Sequence, residues 1–132
     1  MSDSGMISKR SQQNFEDTYS KLKNIISNNP NLKILLELDH QANAANAGLN
    51  LVPTRIILFG NPNLGTPLMA SGHFTGLDLP QKILVSERDG VVTLTYNDPH
   101  YLKERHQIEG QDEILEKVAG ALDKITSAAA EV

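Results

Sequence analysis

The sequence predicts an α+β fold, with a mostly antiparallel sheet covered by helices on one face. Three observations carry that expectation. Amphipathic helical stripes open and close the chain. Between them lie several short apolar runs that read as strands. Two of these runs, residues 81–87 and 91–96, are joined by Arg88-Asp89-Gly90, and Asp-Gly is a strong hairpin signal.

Taken in order, residues 1–4 are expected to fray, and residues 6–9 to form a first strand. Ser11 reads as the N-cap of a helix whose Phe15, Tyr19, Leu22 and Ile26 share one face. Asn28-Asn29-Pro30 ends it. In residues 32–38, Leu32, Ile34, Leu36 and Leu38 alternate, which predicts a strand with one buried side. Asp39-His40 follows, then an alanine-rich helix of two turns at most, closed by Gly48. Residues 54–59 are apolar on both faces, as an inner strand would be. After the Gly60-Asn61-Pro62 turn, Thr66-Pro67 reads as N-cap and first residue of a short helix ending at Gly72. The hairpin comes next. Asp98-Pro99 starts a helix to about His106, and Gly110 precedes the last helix. Its buried stripe is read as Ile114, Val118, Ala121, Leu122, Ile125 and Ala129.

Composition narrows the function. The chain of 132 residues is sized for one domain. Residues 1–10 read as an N-terminal segment and 11–132 as that single domain. A net charge of −4 with scattered basic residues argues against nucleic acid. There is no cysteine, which excludes disulfides and thiolate chemistry. No apolar run is long enough to span a bilayer, and the opening residues carry no secretion-type apolar stretch. A cytoplasmic location without membrane contact is therefore expected.

Several signals occur together: Asp39-His40 after a strand, the alanine-rich piece with Gly48, and Pro53-Thr54 leading through Phe59 to Gly60-Asn61-Pro62. Leu77-Asp78-Leu79-Pro80 and Tyr96-Asn97-Asp98-Pro99 complete the series. In this order they resemble the domain of unknown function 302 family, over roughly residues 11–129. The resemblance implies a TATA-binding-protein-like β-α-β(4)-α arrangement and homodimers. It implies neither a reaction nor DNA binding.

Among the candidate sites, residues 60–66 resemble a phosphate loop but lack its lysine, so nucleotide hydrolysis is rejected. A helix starting near Thr66 would still offer N–H groups to a small anion. His40 beside Asp39 is a candidate general acid/base. The four histidines form no HxH or HxxxH pair, so neither a metal nor a cofactor is expected. Ser71 and Ser86 lack a nucleophile elbow. Tyr96, His100 and Tyr101 are suited to the rim of a pocket or to the end of a strand. The leading expectation is a small-molecule-binding or assembly module with a site at strand ends: Asp39, His40, Gly60, Asn61 and Thr66. The alternative is an enzyme using His40 as acid/base.

Overall fold

A computed structural model describes residues 4–132. The expected fraying of residues 1–4 therefore falls almost wholly outside the described residues. Five strands form one antiparallel sheet: β1 (Met6–Arg10), β2 (Lys33–Asp39), β3 (Thr54–Gly60), β4 (Gln81–Arg88) and β5 (Val91–Asn97), in the order β1-β5-β4-β3-β2. Five α-helices are interleaved: α1 (Phe15–Ser27), α2 (His40–Asn46), α3 (Pro62–Ser71), α4 (Pro99–His106) and α5 (Asp112–Ala130). A 3-10 turn spans Thr75–Leu77. The first strand expected in the N-terminal segment is β1, which pairs with β5 along its whole length.

Strand alternation makes the two faces of the sheet chemically different. On one face Ile57, Ile83, Val85, Leu94 and Tyr96 are buried, and the register sets Ile57 beside Ile83 and Ile83 beside Tyr96. The stripes of α1 (Leu22, Ile26) and α5 (Leu122, Ile125) close over them. Each such side chain removed from water stabilises the fold by roughly 1.5–3 kcal/mol. The other face carries Ser8, Thr93, Thr95 and Ser86, joined by hydroxyl contacts such as Ser8–Thr95 at 2.7 Å. No described helix is long and apolar enough to cross a membrane.

The local chemistry behaves largely as the residues dictate. Asp89 and Gly90 take φ of 54° and 80°, the left-handed pair that a tight right-twisted hairpin requires. Asp98 caps α4 by accepting from the His100 N–H, and Pro99 starts it.

Four expectations are corrected. The cap of α1 is Asn14, which accepts from the Asp17 N–H at 2.8 Å. Ser11 is instead buried, and its hydroxyl lies 2.6 Å from that of Thr18. The alternation of β2 breaks at a bulge between Ile34 and Leu36, and Leu36 is 48% exposed. As an edge strand whose outer face no layer covers, β2 has nothing to bury that row against. For the same reason the outer residues of β3, Ile56 and Leu58, are only half-buried. The third helix starts at Pro62 with Asn61 as cap, so Thr66 and Pro67 lie inside it. Asn61 accepts from the Asn63 N–H at 3.0 Å, so the helix is capped five residues before the expected cap could act. Finally, Ala121 is exposed rather than in the buried stripe of α5.

Candidate functional site

The antiparallel register of β2 and β3 decides how the candidate residues are distributed. Asp39 pairs with Arg55, whereas Lys33 pairs with Gly60. The two ends of this ladder are five residues of β3 apart, roughly 17 Å along an extended strand. Gly60, Asn61 and Thr66 therefore gather at one end, and Asp39 and His40 lie at the other.

At the Asp39 end the polar groups are already engaged. Asp39 caps α2 by accepting from the Ala42 N–H at 2.9 Å, and it also accepts from Arg55 Nε at 3.2 Å. The Ala42 N–H, with Arg55 adding to it, holds the Asp39 carboxyl below its ordinary value. Arg55 also forks onto Glu16, at 3.0 and 2.7 Å. Its guanidinium lies 5.0 Å from the Phe15 ring centre and 5.3 Å from that of Tyr19. The Tyr19 hydroxyl donates to Glu37 at 2.6 Å. That bond, then Lys23 and Arg55, keeps the Glu37 carboxyl low, while burial and then the same bond push the Tyr19 phenol up. This network ties α1 to β2 and β3. His40 is half-buried in the first turn of α2 and makes no side-chain hydrogen bond among the described residues. The acid/base reading needs a cleft holding His40 and a second free polar group. Asp39 accepts from the Ala42 N–H and from Arg55 and makes no hydrogen bond with the imidazole among the described residues.

At the Gly60 end there is a cavity of about 370 Å³. It lies between the end of β3, the start of β2, α3, the Leu79-Pro80 segment and α5. Its walls are almost wholly apolar: Phe59 from the sheet, Leu64 and Leu68 from α3, Leu79 from the loop, and Leu122 and Ile125 from α5. Lys33, Asn61, Thr66 and Gln81 are the polar residues among those that line it. No acidic side chain lines it. Asn61 turns the chain at the last residue of β3, and Pro62 fixes the first helical residue. The bulge in β2 places Leu35 at the same mouth. This is a volume and a chemistry that suit a small, mainly apolar molecule.

The α5 wall was not legible from the sequence as a site. Val118, Leu122 and Ile125 have the helical spacing of an ordinary core stripe, and nothing in that spacing distinguishes a filled core from a hollow one. A second polar cluster was also missed. His106 Nε2 lies 2.6 Å from Asp78 Oδ2, and Arg105 reaches the same carboxylate at 3.0 Å. Lys82 donates to the carbonyls of Asp78 and Pro80, which pins the loop before β4. The signal that could have found it is Leu77-Asp78-Leu79-Pro80, an acid in a proline-fixed loop. Its histidine partner comes from the end of α4. The Ser71 hydroxyl is similarly occupied, bonding the backbone of Glu109. Among the described residues no group of three or more His, Asp or Glu side chains is placed to hold a metal ion.

Comparison with known proteins gives the following. The sequence profile of the domain of unknown function DUF302 matches residues 7–125. A solved structure of an uncharacterized conserved DUF302 protein from Bacillus stearothermophilus superposes with a TM-score of 0.78, covering 96% of both chains at 16% identity. That likeness bears on the fold alone. Proteins named fluoride-specific ion channel FluC 1 from Brucella suis and Brucella abortus are 38% identical over 107 residues, 80% of this chain. The match spans only 42% and 39% of those relatives, so the chain accounts for about two-fifths of their length.

Proposed function

The chain belongs to the DUF302 family of domains of unknown function, and from that premise we propose that it is a small-molecule-binding module whose ligand occupies the cavity between α3 and α5. The single observation behind this is the cavity itself: about 370 Å³ and almost wholly apolar-walled, with a few polar residues in its lining. Sites for small ligands have this character, with a volume of roughly 300–1,000 Å³. Of the residues expected to bind, Gly60, Asn61 and Thr66 belong to this proposal. Asp39 and His40 are left to the polar end. The test is a thermal-shift screen with small apolar and amphipathic compounds on the wild type and on Ala121→Trp, which plugs the mouth from an exposed helix position. A ligand at a hundred times its Kd adds about 2.7 kcal/mol to wild-type stability. The expected result is a shift in the wild type that Ala121→Trp abolishes. An equal shift in both proteins, or none in either, overturns the proposal.

A second reading, an assembly module, is favoured by the uncovered face of the sheet. Leu36 and Leu38 are exposed there beside the half-buried Ile56, Leu58 and Leu84. A symmetric contact between two copies through that row would remove it from water. The Brucella relatives support the same reading from another direction. They are named as fluoride channels, and more than half of their length lies outside the match. We read the domain as an attachment to such a channel, on its cytoplasmic side, and not as its conducting part. A strand and a helix followed by four more strands, with α2 and α3 inserted among them and α4 and α5 after them, support calling the fold TATA-binding-protein-like. Light scattering is the check: a dimer that Leu36→Lys dissociates is expected, and a wild-type monomer at micromolar concentration sinks the homodimer.

A further inference from the structure

The cavity has a charge pattern as well as a shape, and it comes from three lysines. Among the described residues every other lysine is held. Lys9 pairs with Asp123, Lys21 with Glu131, Lys23 with Glu37 and Lys103 with Asp112, while Lys82 is tied to backbone carbonyls. Lys33, Lys117 and Lys124 make no ion pair there. Lys33 lines the cavity from the start of β2. Lys117 and Lys124 lie one turn before and one turn after Ala121, on the same line of α5, and Ala121 lines the cavity. All three lysines are exposed. That line carries one acid, Glu113, and no acid lines the cavity itself. In a chain of net charge −4, the three lysines without anionic partners lie in or beside the lining of one apolar cavity; the unpaired Arg10 and Arg88 belong to β1 and β4 and do not line it.

Resting on the reading of the cavity as a ligand site, we propose that its ligand is an amphipathic monocarboxylate, a free medium-chain fatty acid. The alkyl chain enters between α3 and α5, and the carboxylate stays at the mouth among Lys33, Lys117 and Lys124. The walls offer the tail almost wholly apolar surface, so little polar surface has to be desolvated. The volume is at the small end of the range for ligand sites, which suits one short chain and not a two-chain lipid. The head stays in water, where lysines act as mobile point charges and no preformed fork is needed. Flexible lysines therefore select the sign of the head group more than its identity.

Calorimetry with three probes of equal chain length tests this: decanoate below its micellar concentration, decanol, and decyltrimethylammonium. Decanoate is expected to bind tightest and the cation weakest. In the triple variant Lys33→Gln, Lys117→Gln, Lys124→Gln, decanoate binding should weaken roughly tenfold, the sum of three exposed charge contacts, and decanol binding should not change. Raising the salt concentration should weaken decanoate alone. If decanol binds as well as decanoate and the triple variant changes neither, the cavity is a ligand site but the carboxylate proposal is overturned. If no probe binds, or Ala121→Trp leaves binding intact, the reading of the cavity fails with it. Decanoate that binds only when presented in vesicles points to a lipid surface and overturns the free-acid proposal. The variant changes only exposed side chains, and its thermal unfolding shows that it is folded.

Discussion

The two ends of the β2–β3 ladder are built from opposite materials. At one end Arg55, Glu16, Asp39, Glu37 and Tyr19 fill the space between α1 and the sheet with paired charges. At the other, Phe59, Leu64, Leu79 and Leu122 surround a cavity. The residues that look most chemical in the sequence are at the filled end, and all but His40 have a structural partner there. The open volume is at the end whose residues look like ordinary core. Acid, base and aromatic side chains crowded at a strand end are often there to satisfy one another. A ligand site is marked by the opposite condition, apolar surface with nothing packed on it.

Substitutions at the two ends sharpen this contrast. The largest effect is expected from Leu122→Ala, in the wall that the cavity shares with the core, where the side chain is 1% exposed. It should cost about 3 kcal/mol in urea unfolding and enlarge the cavity. A loss below about 1 kcal/mol would mean that α5 already packs loosely there. At the filled end, Arg55→Met should cost about 2 kcal/mol, because it strands two carboxylates and removes the cation from the Phe15 and Tyr19 rings. The figure is held down by the partial exposure of those charges. Arg55→Lys should recover only part, since a lysine cannot fork onto Glu16 and stack at once. A loss equal to that of Leu122→Ala would erase the distinction between a charge-filled and an apolar end.

Two smaller effects test finer points. Asn61→Ala removes the cap of α3 and should cost about 1 kcal/mol. Thr66→Ala, an exposed position inside that helix, should stay within about 0.5 kcal/mol. The reverse order would restore the helix start at Thr66. The smallest expected effect is a dependence on pH. The folded state holds the Glu37 and Asp39 carboxyls below their ordinary values of 4.5 and 3.8. Groups lowered in this way contribute stability that is fully present above those values and lost as the pH falls through the folded ones. The contribution of these two carboxyls to unfolding free energy should hold from neutrality to about pH 5 and decline below about pH 4. Glu37→Gln, followed by urea unfolding across the same range, should flatten part of that decline.

Most of the fold was legible because local chemistry and long-range packing agree on it. The stripe Phe15, Tyr19, Leu22, Ile26 predicted the buried face of α1. Asp89-Gly90 predicted the β4–β5 turn, and Asp98-Pro99 the start of α4. Where reading failed, two local signals competed. Asn61-Pro62 and Thr66-Pro67 are both cap-plus-proline pairs, and the earlier one starts the helix. Ser11 and Asn14 both suit a cap, and Asn14 takes the role while Ser11 is buried against Thr18. The alternation of residues 32–38 was real, but its exposed outcome depended on β2 being an edge strand.

The sequence by itself determined the α+β order, the hairpin, the buried faces of the terminal helices and the family, because periodicities, caps and turns are fixed by residues a few positions apart. Only the tertiary structure decided which candidate residues meet. The register of β2 on β3 separated Asp39 and His40 from Gly60, Asn61 and Thr66. A cavity lies between α3 and part of α5 where the stripe of α5 had promised filled core. Both are set by contacts between residues far apart in the chain, and a helical stripe has the same spacing whether its neighbour is a side chain or a void.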